Sequence, residues 1–131
     1  MQLSEVVQQF IATHITSVDQ IEIVLLLYKN PNREWTAEDA ARDLFMEPQT
    51  TAARMAEMAA DGLISSKQID DRTVYRHGPR TMQLEKAISE LPEEYPKYRV
   101  SIINLIFSKP IDNIRTFADA FRFRKDREEN G

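Results

Sequence analysis

The chain has 131 residues, of which 42% are hydrophobic and 29% charged, with no cysteine. That is one domain's worth of chain with enough apolar material for a core. Wholesale disorder, disulfide scaffolds, thiol catalysis, cysteine-held zinc and iron–sulfur clusters are therefore excluded. Seventeen Lys and Arg against 21 Asp and Glu give a net charge of −4, with 8 basic and 12 acidic groups in residues 1–80 and 9 of each in residues 81–131, a balance that favours solubility and announces no polyanion partner.

Glycine is confined to Gly62, Gly78 and Gly131, and abundant Ala, Leu, Glu and Arg favour helices. A first helix runs from Ser4 to about Ile15, with Val7, Phe10, Ile11 and Ile15 at helical spacing and Leu3 stapling its start. Ser17 caps a second helix, with Gln20 at the capping-box position and Val18, Ile21, Val24, Leu25 and Tyr28 as its buried stripe. Asn30-Pro31-Asn32 stops it. Thr36 starts a third helix, again with a capping-box acid at Asp39, and a core face of Ala37, Ala40, Ala41, Leu44 and Phe45. Pro48 opens a fourth, which ends at Asp61 before a left-handed Gly62 and turns Met55, Met58 and Ala59 inward.

The period then changes. Residues 63–69 and 73–77 read as strands joined by Asp70-Asp71-Arg72 and closed by Gly78-Pro79. Beyond Arg80, Leu84, Ile88, Leu91, Tyr95, Tyr98, Ile102 and Leu105 form a heptad-like seam. Pro92 and Pro96 interrupt it, which predicts two helices, 81–91 and 96–108, meeting at a bend. The second also carries Val100, Ile103 and Phe107, so it is apolar on more than one side and suited to burial between subunits of a homodimer. A last helix over 112–125 presents Ile111, Ile114, Phe117, Ala118 and Phe121.

Within this pattern, residues 20–77 resemble a winged helix-turn-helix domain of the MarR, ArsR and PadR kinds of bacterial regulator. The resemblance is carried by the run from Trp35 to Leu44, by Thr50 to Ala59, and by Asp61-Gly62-Leu63-Ile64. It implies a mainly α fold with a small β-hairpin: a winged helix-turn-helix over residues 1–80, extended over 81–131 by C-terminal helices for dimerisation or partner binding. It also implies that the fourth helix enters the major groove of duplex DNA. Gln49, Thr50, Ala52, Ala53 and Ala56 would then face the DNA, with Arg54 at a flank. Arg72, Arg76 and Arg80 of the wing, and Arg33 in the loop before the third helix, would touch phosphates or a minor groove. Three of the five outward positions are alanine, and only Gln49 is a natural base reader, so sequence specificity would be modest. Asp70, Asp71, Glu38, Asp39, Asp43 and Glu47 oppose a polyanion.

Other constellations read as structural. His14 closes a helix, where a cation suits the negative dipole end, and His77 ends a strand. Asp70-Asp71 is turn chemistry. No Gly-rich phosphate loop, serine elbow or HExxH pattern occurs, so the expectation is no enzyme, no cofactor and no metal. Met55 and Met58 fill the core and Trp35 covers its edge. Tyr95 and Tyr98 pack in the seam, with a small-molecule pocket as the other reading. Phe117, Phe121 and Phe123, with Arg122 beside them, form the surface best suited to a protein partner. Hence the alternative function is an interaction or signalling adaptor that does not bind DNA. No apolar run approaches the roughly 18 residues of a membrane span. The N-terminus carries no basic segment ahead of an apolar one, so a cytoplasmic protein with no membrane partner is expected.

Overall fold

The computed structural model describes residues 3–108; the helix expected over 112–125, with Phe117, Phe121, Arg122 and Phe123, lies outside them. In chain order the elements are α1 (Glu5–His14), α2 (Val18–Lys29), α3 (Ala37–Leu44), α4 (Pro48–Ala60), β1 (Ser65–Ile69), β2 (Arg72–Arg76), α5 (Met82–Lys97) and α6 (Arg99–Phe107). This is the expected winged helix with helical extensions. The hairpin is antiparallel, with Ser65 opposite Arg76 and Ile69 opposite Arg72. Asp70 makes the reversal at φ 55, a left-handed conformation that Asp tolerates better than most residues. Trp35 adds a third short edge by bridging Tyr75, their backbone groups exchanging two hydrogen bonds of 2.7 Å. The indole is 1% exposed, so Trp35 seals the seam between the motif and the wing.

One core runs through the described residues. Val7, Phe10, Ile11 and Ile15 meet α2, Met55 and Met58 of α4, and Leu84, Ile88, Leu91, Tyr95, Ile102 and Ile106 of α5 and α6. α1 lies against α5 and α6, while α2 packs on both α3 and α5. That central position explains why α2 buries Ile23 and Leu27 beyond its expected stripe, leaving Val18 and Tyr28 half-buried. Among the described residues no single helix is long and apolar enough to cross a membrane.

Four expectations are corrected. The break expected between Leu91 and Pro96 is absent, because α5 runs through Pro92 and Pro96, and the two helices meet instead at Tyr98, whose ψ is 33°. An interior proline costs a helix about 3 kcal/mol. Burying Leu84, Ile88 and Leu91 on one stripe returns about 1.5–3 kcal/mol each, so packing wins. The capping box at Ser17 does not form: its hydroxyl makes no cap bond, and Gln20 Oε1 instead accepts from the Thr16 backbone N–H at 2.6 Å. The Leu63–Ile64 pair is buried ahead of β1 rather than part of it. Phe45 is not in the core. The turn after α3 needs a left-handed residue, Phe45 supplies it at φ 57, and its ring is 95% exposed.

Candidate nucleic-acid interface

α3, the turn at Phe45 and Met46, and α4 form the helix-turn-helix, with the hairpin beside it. α3 starts on Thr36, whose hydroxyl accepts from the Asp39 N–H at 3.1 Å. α4 is anchored from below by buried Thr51, Met55 and Met58, and Thr51 donates its hydroxyl to the Glu47 carbonyl at 2.8 Å. Its outward face gathers Glu47, Gln49, Thr50, Ala53, Arg54 and Glu57 on one shallow surface. Gln49 and Thr50 are exposed in the first turn, Ala52, Ala53 and Ala56 are exposed further along, and Arg54 is half-buried with an Nε that has no partner among the described residues.

The N-terminus of α4 is already held by an anion of the chain itself. Glu47 Oε2 accepts from the Thr50 backbone N–H at 2.6 Å. That backbone bond, then the Thr50 side chain and the Gln49 backbone N–H, lower the Glu47 pKa below its ordinary value. An ionised carboxylate therefore sits where a helix N-terminus would otherwise receive a phosphate. The sequence shows Glu47 as one acid among several; its capping role follows from the Glu-Pro junction and emerges only with the backbone.

The cations cluster elsewhere. Arg72 and Arg76 are both exposed on β2, one beside the turn and the other opposite Ser65. Neither has a carboxylate partner among the described residues. Lys67, on β1 opposite Val74, adds a third wing cation that charge reading alone passed over, although its Nζ lies 3.8 Å from Glu34 Oε2. Arg33 stands at the same edge, with its guanidinium carbon 3.5 Å from the Trp35 ring centroid. Arg80 is drawn away from this group. Its guanidinium donates to the Ala60 carbonyl at 3.1 Å, and its backbone N–H to the Gly62 carbonyl at 2.8 Å. It therefore ties down the far end of α4, roughly 17 Å along the axis from Gln49 at 1.5 Å per residue. The structure thus gathers Gln49, Thr50 and Arg54 on one helix face and Arg33, Arg72 and Arg76 along the wing.

The histidines hold the motif to its neighbours. His14 Nδ1 lies 3.0 Å from Asp61 Oδ2, joining α1 to the end of α4. His77 Nε2 lies 2.9 Å from Glu85 Oε2, joining the wing to α5, with Tyr28 edge-on to its ring.

No protein-family model matches the sequence, and no curated protein matches it. Solved structures do match the fold. The F27L mutant of MepR from S. aureus, bound to an oligodeoxyribonucleotide, superposes with a TM-score of 0.53 at 15% identity over 92% of this chain and 86% of that one. A MarR family protein from Bacillus stearothermophilus gives 0.50 at 16% identity over 95% and 83%. The PcaV transcriptional regulator from Streptomyces coelicolor gives 0.50 at 17% identity over 95% and 88%. The fold is therefore that of a MarR-type winged helix.

Proposed function

We propose that this chain is a transcription regulator of the cytoplasm that binds duplex DNA as a homodimer with modest sequence specificity. The observation that carries the reading is the pair Arg72 and Arg76. They are exposed, without a carboxylate partner among the described residues, and set on the wing of a fold that in the MepR complex is bound to an oligodeoxyribonucleotide. Phosphate contacts from the wing supply most of the affinity, helped by Arg33. α4 enters the groove with Gln49 as its principal base reader and Thr50 and Arg54 at its edges. With alanine at Ala52, Ala53 and Ala56, discrimination rests largely on DNA shape. Arg80 serves the helix end rather than the DNA.

The homodimer reading is supported by α6, which leaves Val100 73% and Phe107 69% exposed with Ile103 half-buried beside them. An apolar face of this kind calls for a cover, and a second copy provides it symmetrically. Residues 81–131 thus serve dimerisation and residues 1–80 serve DNA. Light scattering at tens of micromolar should give a dimer, and the Val100→Glu, Phe107→Glu double variant a folded monomer. A monomeric wild type overturns this part.

The test of DNA binding is anisotropy of a mixed-sequence duplex at about 50 and 200 mM salt, where a protein with several phosphate contacts binds and then weakens steeply. Absence of binding at the lower salt selects the second reading, an adaptor that docks proteins. That reading is favoured by the Glu47 carboxylate at the α4 N-terminus and the alanine-rich face beyond it.

A further inference from the structure

Phe45 carries two features that oppose stability, and nothing inside the described residues offsets either. It is the most exposed large apolar side chain among the described residues, at 95% exposure. Its backbone is left-handed, φ 57 and ψ 46, a conformation that glycine adopts freely and a side chain with a Cβ does not. Either a glycine or a polar residue would serve the turn better. A residue that is unfavourable in the folded chain on both counts points to a contact outside it.

The surroundings say what kind. Residues 38–47 carry four carboxylates, Glu38, Asp39, Asp43 and Glu47, against the single cation Arg42. Arg42 is itself engaged with Asp39 at 3.4 Å. Glu38, Asp43 and Glu47 are exposed, and Glu47 is held ionised by its bonds to α4. A nucleic acid or an anionic lipid surface would meet this local excess of carboxylates unfavourably. A basic partner would meet attraction. Aromatic side chains ringed by charge are the usual anchors of protein contacts, and they seat in apolar pockets of the partner.

We propose that the α3–α4 turn is a docking point for a basic amphipathic helix of a partner protein. Phe45 inserts into the apolar face of that helix, and Glu38, Asp43 and Glu47 pair with its lysines and arginines. The site lies at the turn and not on the wing. It goes beyond the DNA-binding reading and does not need Arg72 and Arg76, although it shares Glu47 with the start of α4.

The experiment uses the full chain and a panel of fluorescein-labelled amphipathic helical peptides whose polar faces are basic, neutral or acidic. Phe45→Gly is the informative variant. It removes the anchor, leaves the net charge unchanged, and relieves the backbone, so it folds at least as well as wild type, which a thermal melt checks. The expected result is binding of the basic peptides only, weakened on the order of 30-fold by Phe45→Gly. Asp43→Asn weakens binding by a factor of about three and flattens its salt dependence. The proposal is overturned if no basic peptide binds, if neutral or acidic peptides bind equally well, or if Phe45→Gly leaves the affinity unchanged. It is also overturned if Phe45→Gly weakens a duplex in place of the peptides, which would make the ring a DNA contact. Absence of duplex binding by the wild type, with basic-peptide binding retained, is failure of the DNA reading alone; duplex binding that depends on Arg72 and Arg76, with no basic-peptide binding, is failure of this one alone.

Discussion

Replacing Arg72 and Arg76 together by glutamine removes two wing cations that have no carboxylate partner among the described residues, while keeping side chains that can still hydrogen-bond. Each cation on a phosphate contributes about 0.9 to the slope of log affinity against log salt. A homodimer presents four such arginines, so the double variant should lose about 3.6 from that slope. From about 50 to 200 mM salt, those four contacts alone account for roughly a 150-fold loss of wild-type affinity, and the variant should lack that share. Lys67→Gln is the internal control. Its Nζ already faces Glu34 at 3.8 Å, so its removal should change the slope by less than one arginine does. Anisotropy titrations of one duplex at several salt concentrations measure all three proteins. An unchanged slope in the double variant would refute the wing as the phosphate-binding element, and an equal effect from Lys67→Gln would refute the distinction drawn from its ion pair.

Two further outcomes concern stability. Gly62 stands at φ +83, and a Cβ there would lie 3.0 Å from both Arg80 Cβ and Arg80 Nε. Gly62→Ala should therefore cost about 1–2 kcal/mol, lowering Tm by about 4–8 °C; an unchanged melt would refute the left-handed strain assigned to this position. Burial first, then the Glu22 carboxylate that accepts the Tyr95 hydroxyl at 3.1 Å, raise the Tyr95 pKa above its ordinary 10.0, while Arg99 opposes them. The folded state therefore holds this proton more tightly than the unfolded chain. The resulting stability is complete below the unfolded value near 10 and is lost as pH rises through the folded one. Tyr95→Phe should flatten the alkaline limb of stability measured by urea midpoint, and an identical limb would place the titration elsewhere.

Features set by a few neighbouring residues were legible in the sequence. Thr36 caps α3 because the hydroxyl needs only the N–H three residues on. Met55 and Met58 on α4, and Ile88 and Leu91 on α5, are buried because helical spacing puts each pair on one stripe of its helix. What failed depended on partners far along the chain. Pro92 reads as a break until the burial of α5 against α1 and α2 outweighs its missing hydrogen bond. Ile23 and Leu27 look like the outer side of α2 until α2 is seen to be enclosed on several sides. Arg80 reads as one more wing cation, and its bond to the Ala60 carbonyl 20 residues earlier was not legible in the sequence. Phe45 fails for a local reason of another kind. Hydrophobicity says core, but the turn geometry fixes a left-handed backbone that turns the ring outward, and no periodicity encodes that.

The character of the α4 N-terminus was also hidden by reading charges as a total. Glu47 is one acid among 21, but among the described residues it alone sits on the N–H groups of α4, which lower its pKa. If α4 approaches DNA, replacing that carboxylate by a neutral cap should tighten binding. Glu47→Ser is the suitable change, because serine caps a helix well through the same backbone N–H groups. Two unit charges removed from a homodimer, each about 8 Å from a phosphate in water, correspond to about fivefold tighter binding at low salt. The gain should shrink as salt shortens the screening length toward that distance. Circular dichroism would confirm that α4 keeps its helix, and anisotropy at about 50 mM salt would read the affinity. Tighter binding would place the α4 N-terminus against the duplex. Unchanged affinity would refute that placement and leave the wing arginines as the whole of the DNA contact.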